Sequence, residues 1–140
     1  MLGSALDFAF TLTLSTLIGG MIAFQVLFAP LIFIKLPSEV ARPFIRKFFP
    51  FYYLYFGALS LVLFGLAVFV FNGIAAVYTL LALAIALGFV ISRQVLMPLA
   101  NKATDTGQVS AFKRYHMATV FINTVQLIAL IVMLYTFLNQ

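Results

Sequence analysis

Between Asp7 and Lys35 the chain runs for 27 residues without a charge, and residues 48–92 form a second uncharged run of 45. An α-helix rises 1.5 Å per residue, so roughly 20 apolar residues cross the hydrocarbon core of a bilayer. The first run is long enough for one tilted span and the second for two. Asn72-Gly73 is the turn signal near the middle of the longer run, and it predicts a reversal there. A fourth uncharged run follows His116 and ends near Leu138. The first run exceeds the core of a signal peptide and has no basic leader, so it reads as a retained span.

These runs predict an all-α membrane protein: four transmembrane helices in an antiparallel bundle, forming one integral membrane domain. The expected spans are about 8–34, 50–71, 74–97 and 116–138. Composition points the same way. Of 140 residues, 65% are hydrophobic and 8% are charged, against about a quarter charged in soluble domains. So few charges cannot give a globule of this size a polar skin.

The same scarcity limits the chemistry. There is no cysteine, which excludes disulfides, thiolate metal sites and thiol catalysis. The carboxylates Asp7, Glu39 and Asp105 are dispersed among tail and loops, so no paired general acid and base is expected. One histidine cannot build a multi-histidine zinc site. Met97, His116 and Met117 would offer soft ligands only if they converged, and methionine more often fills gaps. No glycine-rich phosphate loop is present. The expectation is a non-enzymatic protein without cofactor or metal.

A formal charge of +5 suggests nucleic acid until the cations are located. Lys35, Arg42, Arg46 and Lys47 lie between the first and second spans; Arg93, Lys102, Lys113 and Arg114 surround the connection between the third and fourth. With an even number of crossings these regions share one side of the membrane. Cytoplasmic loops retain Lys and Arg, so loops 35–49 and 98–115 are expected inside and both termini outside. Arg42, Arg46, Lys47, Lys113 and Arg114 are then placed to meet anionic lipid, and no soluble basic domain remains to hold nucleic acid. A bacterial inner membrane suits this compact chain and its charge bias.

Within the first basic connection, Glu39, Arg42 and Arg46 share one helical face while Val40, Phe44 and Phe48 share the other. That pattern predicts a short amphipathic segment lying in the interface between the first two spans. The sequence Arg46-Lys-Phe-Phe-Pro-Phe-Tyr-Tyr-Leu-Tyr-Phe56 then places cations at headgroups and aromatic rings at the interface as the second span enters.

Pro30-Leu31, Lys35 and Phe44-Ile45-Arg46-Lys47 have echoes in Pro98-Leu99, Lys102 and Phe112-Lys113-Arg114. A tandem two-helix repeat, with both halves oriented alike, is one reading of that similarity. Small residues at Ser15, Gly19 and Ala23, at Gly57 and Gly65, and at Ala84, Gly88 and Ser92 are expected to let helices pack closely.

The fourth span carries His116, Thr119, Asn123 and Gln126 at spacings of three, four and three, which forms one stripe. Polar side chains in hydrocarbon need partners, so the stripe should face the bundle interior. Gln25 and Gln126 each lie ten residues from a basic end, about 15 Å deep. The expected polar cluster is Gln25, Tyr52 or Tyr55, Arg93, His116, Asn123 and Gln126. Such a cluster either fixes the packing or receives a small amphipathic or anionic ligand. Residues 61–71 and 127–134 offer almost no polar groups, which argues against a continuous wet path through one chain.

Leu36-Pro37, Lys47-Phe48-Phe49-Pro50-Phe51-Tyr52 and Phe112-x-Arg114-Tyr115-His116 followed by Asn123 together resemble the transmembrane protein 205-like family, as do Arg93 and Pro98 at the end of the third span. The resemblance implies a small four-span protein, with Pro50, Arg93, Arg114, His116 and Asn123 as family-type positions. An animal member is associated with resistance to platinum drugs; this chain, with five Met and no Cys, lacks most of the sulfur that platinum prefers. The function classes carried forward are a binder of lipid-like ligands or accessory subunit of a larger complex, and a small dimeric transporter of a hydrophobic or metal-containing compound.

Overall fold

The computed structural model describes residues 2–73 and 76–140, with side chains from residue 4. Its helices are α1 (Leu2–Ala23), α2 (Ala29–Lys35), α3 (Ser38–Val70), α4 (Val77–Ile91), α5 (Met97–Asp105) and α6 (Val109–Leu138). Two π-helical turns, Phe24–Phe28 and Ser92–Leu96, join α1 to α2 and α4 to α5 without leaving the helical conformation. Among the described residues four stretches are therefore long and apolar enough to cross a membrane: Ser4–Lys35, Ser38–Val70, Val77–Asp105 and Val109–Leu138. The protein is an all-α membrane protein. The expected start of the third span at residue 74 lies outside the described residues.

The π turns follow from two prolines. Pro30 and Pro98 have no N–H to donate to the carbonyl four residues back, and each ring crowds that carbonyl. One π turn just before each proline changes the bonding register and relieves the conflict. The second π turn begins 68 residues after the first, from 24 to 92, and Pro98 follows Pro30 by the same interval. The two halves thus repeat one order: apolar helix, π turn, proline, basic connection, helix.

Residues 38–49 differ from the expectation of a separate interfacial segment. They form the first three turns of α3, which continues through Pro43 and Pro50 to Val70. Each proline removes one backbone donor, while packing holds the helix together across the gap. Ala41 is buried, and Phe48 and Phe49 pack on the core. Phe48 also stacks on Phe24 at 5.4 Å and on Phe44 at 5.9 Å.

In the bundle α1 packs on α3 and α6, α3 on α4, and α4 on α6, which closes the four spans into a ring. The core is assembled from Phe10, Leu14, Leu17 and Met21 of α1; Tyr52, Tyr53, Phe56, Leu63 and Ala67 of α3; Ala82, Ile85 and Phe89 of α4; and Leu130 and Met133 of α6. Spacings of three, four and seven residues, with Tyr52 and Tyr53 adjacent in α3, put each set on one helix face. The outward faces remain apolar, with Phe8, Leu12, Leu61, Phe69, Leu87 and Ile128 among the exposed side chains. A soluble protein could not present such a surface to water.

At the end carrying the termini, Asn72 adopts a left-handed conformation at φ 55° and the chain reverses, as the Asn-Gly signal predicts. Phe10, Phe71, Tyr78 and Phe137 fill this end; Phe71 stacks on Tyr78 at 4.4 Å, and Phe10 meets Phe71 edge-on at 5.4 Å. At the opposite end Gly107, φ 69°, caps α5, and Gln108 N–H closes the cap on Ala103 O at 2.8 Å. Arg46 reaches Asp105 here, so both basic connections share this end.

The small residues do not all act as expected. Ser15 and Gly19 face outward, and a Cβ added at Gly19 or Gly65 meets nothing within 4 Å. Gly20 is the close approach in α1, where an added Cβ would lie 2.9 Å from the Phe56 ring. A Cβ added at Gly57 would lie 3.5 Å from Phe89 Cβ, an ordinary van der Waals distance, and Gly88 faces Gln126. The intervals of four in α1 and eight in α3 reflect sequence spacing alone; an equally small neighbour one position away makes the contact in α1.

Candidate functional site

The two basic connections frame a cavity of about 1080 Å³ at their end of the bundle. Its walls come from the first π turn and α2, the first four turns of α3, α5, and the first four turns of α6. Apolar side chains such as Phe24, Phe33, Phe49, Met97 and Val120 supply most of the lining. Polar groups enter in two tiers. Arg42, Arg46, Asn101, Gln108 and His116 stand near the mouth; Gln25, Tyr52, Thr119 and Asn123 stand deeper.

The opening faces sideways as well as outward. Phe33 on α2 and Val120 on α6 line the cavity although 64% and 43% of their surfaces are exposed. The gap between the first and fourth spans thus leads from the cavity toward surrounding lipid. Beyond the deep tier the bundle is dry. Leu14, Leu63, Leu130 and Met133 are fully buried, and the aromatic cluster closes the far end. The cavity is blind.

The first π turn shapes the deep tier. Phe24 opens the turn and packs against Tyr52 and Phe49 at 4.7 and 5.7 Å. Gln25 follows it, and its Nε2 is buried with no hydrogen-bonding partner in the protein. A buried donor left unpaired costs about 1–3 kcal/mol, so a polar group entering the cavity within its reach would be held there. Across the cavity Tyr52 Oη donates to Asn123 Oδ1 at 3.4 Å, and Asn123 Nδ2 approaches the same hydroxyl at 3.3 Å. Both contacts are long for their type, leaving these groups capacity to bind something else. At the mouth the His116 ring stacks on Phe112 at 5.7 Å.

Two members of the expected cluster stand apart from this lining. Arg93, in the second π turn, donates from Nε to Pro50 O at 3.1 Å and ties that turn to α3. Gln126 donates from Nε2 to Ile85 O at 2.8 Å; an added Cβ at Gly88 would come within 2.5 Å of that nitrogen. Both make interhelical hydrogen bonds that fix packing. The other four, Gln25, Tyr52, His116 and Asn123, meet around the cavity. Tyr55 points outward.

Of the five cations expected at anionic lipid, Arg42 and Arg46 line the cavity, while Lys47, Lys113 and Arg114 are exposed around it. Arg46 carries a contact that sequence reasoning missed: Nη1 and Nη2 reach Asp105 Oδ1 and Oδ2 at 2.6 and 2.7 Å. The residues are 59 apart and had no sequence signal linking them. Asn101 and Gln108 were missed for a similar reason, because short polar residues in a basic loop look solvated. Among the described residues no group of three His, Asp or Glu side chains is placed to hold a metal ion. Met97 lines the cavity, whereas Met117 is 60% exposed.

No curated protein and no solved structure matches this chain. Residues 12–109 match a family described as Domain of unknown function (DUF4149). The match includes Gln25, Tyr52, Arg93, both π turns and the Arg46–Asp105 pair, and stops before the polar stripe of α6. The chain belongs to the DUF4149 family.

Proposed function

We propose that this is a non-enzymatic membrane protein that binds a lipid-like or other small amphipathic molecule from the leaflet at its basic end. The observation that carries the reading is a blind cavity with apolar walls, a cationic mouth and a sideways opening between the first and fourth spans. A ligand entering there would lay its chains along Phe24, Phe33 and Val120. Its polar end would meet Arg42 and His116, while Gln25 and Asn123 offer donors deeper in. Positive-inside charge bias supports a cytoplasmic position for the mouth and outside positions for both termini, in a bacterial inner membrane. Anionic lipids of the inner leaflet would gather at Lys47, Lys113 and Arg114. The Phe112-x-Arg114-Tyr115-His116 motif supports a further kinship with the transmembrane protein 205-like family.

The test is extraction and mass spectrometry of small molecules retained by purified protein, compared with a Gln25→Leu/Asn123→Leu double variant. Retention of a stoichiometric amphiphile by the parent and its loss from a folded double variant is the expected result. Equal retention by both would remove the cavity from the account. Stable co-purification of one protein partner, without lipid, would favour an accessory subunit instead.

A dimeric transporter of a hydrophobic or metal-containing compound is the second reading. It is favoured by the repeated π-turn and proline order at an interval of 68 residues, because paired halves are common in transporters. Ser15 and Gly19 on the outer face of α1 would allow two chains to approach. Reconstituted vesicles decide it: ligand-dependent flux supports transport, and its absence with amphiphiles that bind tightly counts against it.

A further inference from the structure

Arg46 belongs to the cavity wall, yet its guanidinium is engaged by a carboxylate at the end of α5, next in sequence to the lining residue Thr104. Nη1 and Nη2 contact the two oxygens of Asp105 at 2.6 and 2.7 Å, the fork geometry with which arginine also holds phosphate and carboxylate ligands. Arg46 is on the third turn of α3 and Asp105 is the last residue of α5, so this contact spans the cavity mouth. The side chains are 48% and 54% exposed, and water therefore reaches the pair and weakens it. Arg42, one turn earlier on the same helix face, also lines the cavity and has no ion-pair partner among the described residues.

We propose that Asp105 is a displaceable stand-in for the headgroup of the ligand. Resting on the reading of the cavity as an amphiphile site, this identifies the ligand class as an amphiphile with an acidic oxyanion head, a phosphate or carboxylate. On entry that head takes the Arg46 fork from Asp105, with Arg42 as a second cation, and the mouth is released from the strap joining α3 to α5. At Arg46 one oxyanion replaces another and the fork geometry is kept; Asp105 stays on the chain and turns to water, so the net positive charge of the mouth falls by the charge the head brings. A buried pair would resist such exchange because separating it strands a charge; an exposed one does not.

The experiment compares phosphatidylglycerol with phosphatidylcholine of the same acyl chains, bound to the full chain in detergent micelles and counted by native mass spectrometry. Four charge-controlled variants are compared with the parent. Asp105→Asn frees Arg46, while Glu39→Gln removes an equal charge from the first connection without touching the pair. Arg46→Lys keeps the charge but loses the fork, and Arg46→Gln loses both.

The expected result is a preference for phosphatidylglycerol that rises about two- to fivefold in Asp105→Asn, a range consistent with the loss of an exposed ion pair. It stays unchanged in Glu39→Gln, falls in Arg46→Lys and is lost in Arg46→Gln. Misfolding exposes apolar surface that takes up both lipids alike, so a saturable gain in preference in Asp105→Asn carries the proposal even if an arginine variant folds poorly.

Equal effects of Asp105→Asn and Glu39→Gln would overturn the exchange and leave only general charge attraction. Saturable binding of both lipids with no preference would overturn the acidic head while the amphiphile site stands. No saturable binding of either lipid would sink both. Inorganic phosphate is the competing arm. If millimolar phosphate alone displaces the lipid, the site reads a free oxyanion and the amphiphile assignment fails; if it does not, the acyl chains are part of what is recognised.

Discussion

The two ends of this bundle use aromatic side chains in opposite ways. At the end with the termini, Phe10, Phe71, Tyr78 and Phe137 pack ring against ring, and Tyr78 Oη donates to Thr136 Oγ1 at 2.7 Å. At the basic end, Phe24 packs on Phe48 at 5.4 Å and on Phe49 at 5.7 Å, yet Phe24 and Phe49 line a space of about 1080 Å³. The difference lies in the backbone. The terminal end is built from regular α-helix, whereas at the basic end α2 and α5 both follow a π turn and carry a proline as their second residue. A shifted helical register displaces side chains from the faces that a regular helix would continue to present. The comparison teaches that aromatic content alone does not distinguish a plug from a pocket.

The largest expected effect breaks the plug. Phe10 is fully buried between Phe71 and Phe137, so Phe10→Ala should cost about 3–5 kcal/mol of stability, as large-to-small changes in closed cores do. Phe24→Ala removes the same atoms beside an existing cavity and should cost no more than about half as much. Unfolding in mixed micelles with increasing denaturing detergent measures both. Equal losses would mean that the basic end is packed as tightly as the other.

A smaller effect separates the glycines. Gly88→Val would force Gln126 off Ile85 O and crowd Ile122, at a cost of about 1–3 kcal/mol. Gly19→Ala meets open space and should be neutral or stabilising by up to about 1 kcal/mol in the monomer. The same unfolding assay ranks them. A large loss at Gly19 in a dilute, monomeric sample would contradict the outward orientation of that face.

Those two glycines also show what the sequence could and could not convey. Span number, the reversal at Asn72 and the common end of both basic connections were legible because charges are few and each marks an end. The stripe His116, Thr119, Asn123 was legible because helical spacing puts polar side chains on one face. Gln126 continues that stripe, yet its partner is set by a missing Cβ on another helix, 38 residues earlier at Gly88. Arg93 likewise has a partner, Pro50 O, that no local pattern announces. The amphipathic pattern of residues 38–49 was real, but continuity with α3 depended on packing across Pro43 and Pro50. The π turns were hidden because hydrogen-bond register leaves no compositional mark. Their trace was a proline inside each of two apolar runs.

Tyr78→Phe is a modest test of the dry end. It removes the hydrogen bond to Thr136 and the acceptor of an exposed bond from Gln140 Nε2 at 2.9 Å, which water can replace, and Thr136 Oγ1 can still donate to Val132 O at 2.8 Å. Interhelical hydrogen bonds in membranes average about 0.6 kcal/mol. Loss of about that size is expected in the unfolding assay, with ligand retention unchanged because the site lies at the other end.

The smallest stability effect, and the sharpest contrast, belongs to Gln25→Leu. Gln126 and Gln25 are both amides within the apolar spans, but one is bonded to a helix carbonyl and the other has a buried Nε2 without a protein partner. Replacing a satisfied amide forfeits its bond; replacing an unsatisfied one removes a desolvated donor along with its cost. Gln25→Leu should therefore leave stability within about 1 kcal/mol of the parent, or raise it, while lowering amphiphile retention at the cavity. Parallel measurement of unfolding and bound lipid checks both halves of the expectation. Should Gln25→Leu destabilise as much as Gln126→Leu and leave retention intact, Gln25 would be a packing residue like Gln126. The deep tier of the cavity would then be reduced to Tyr52, Thr119 and Asn123.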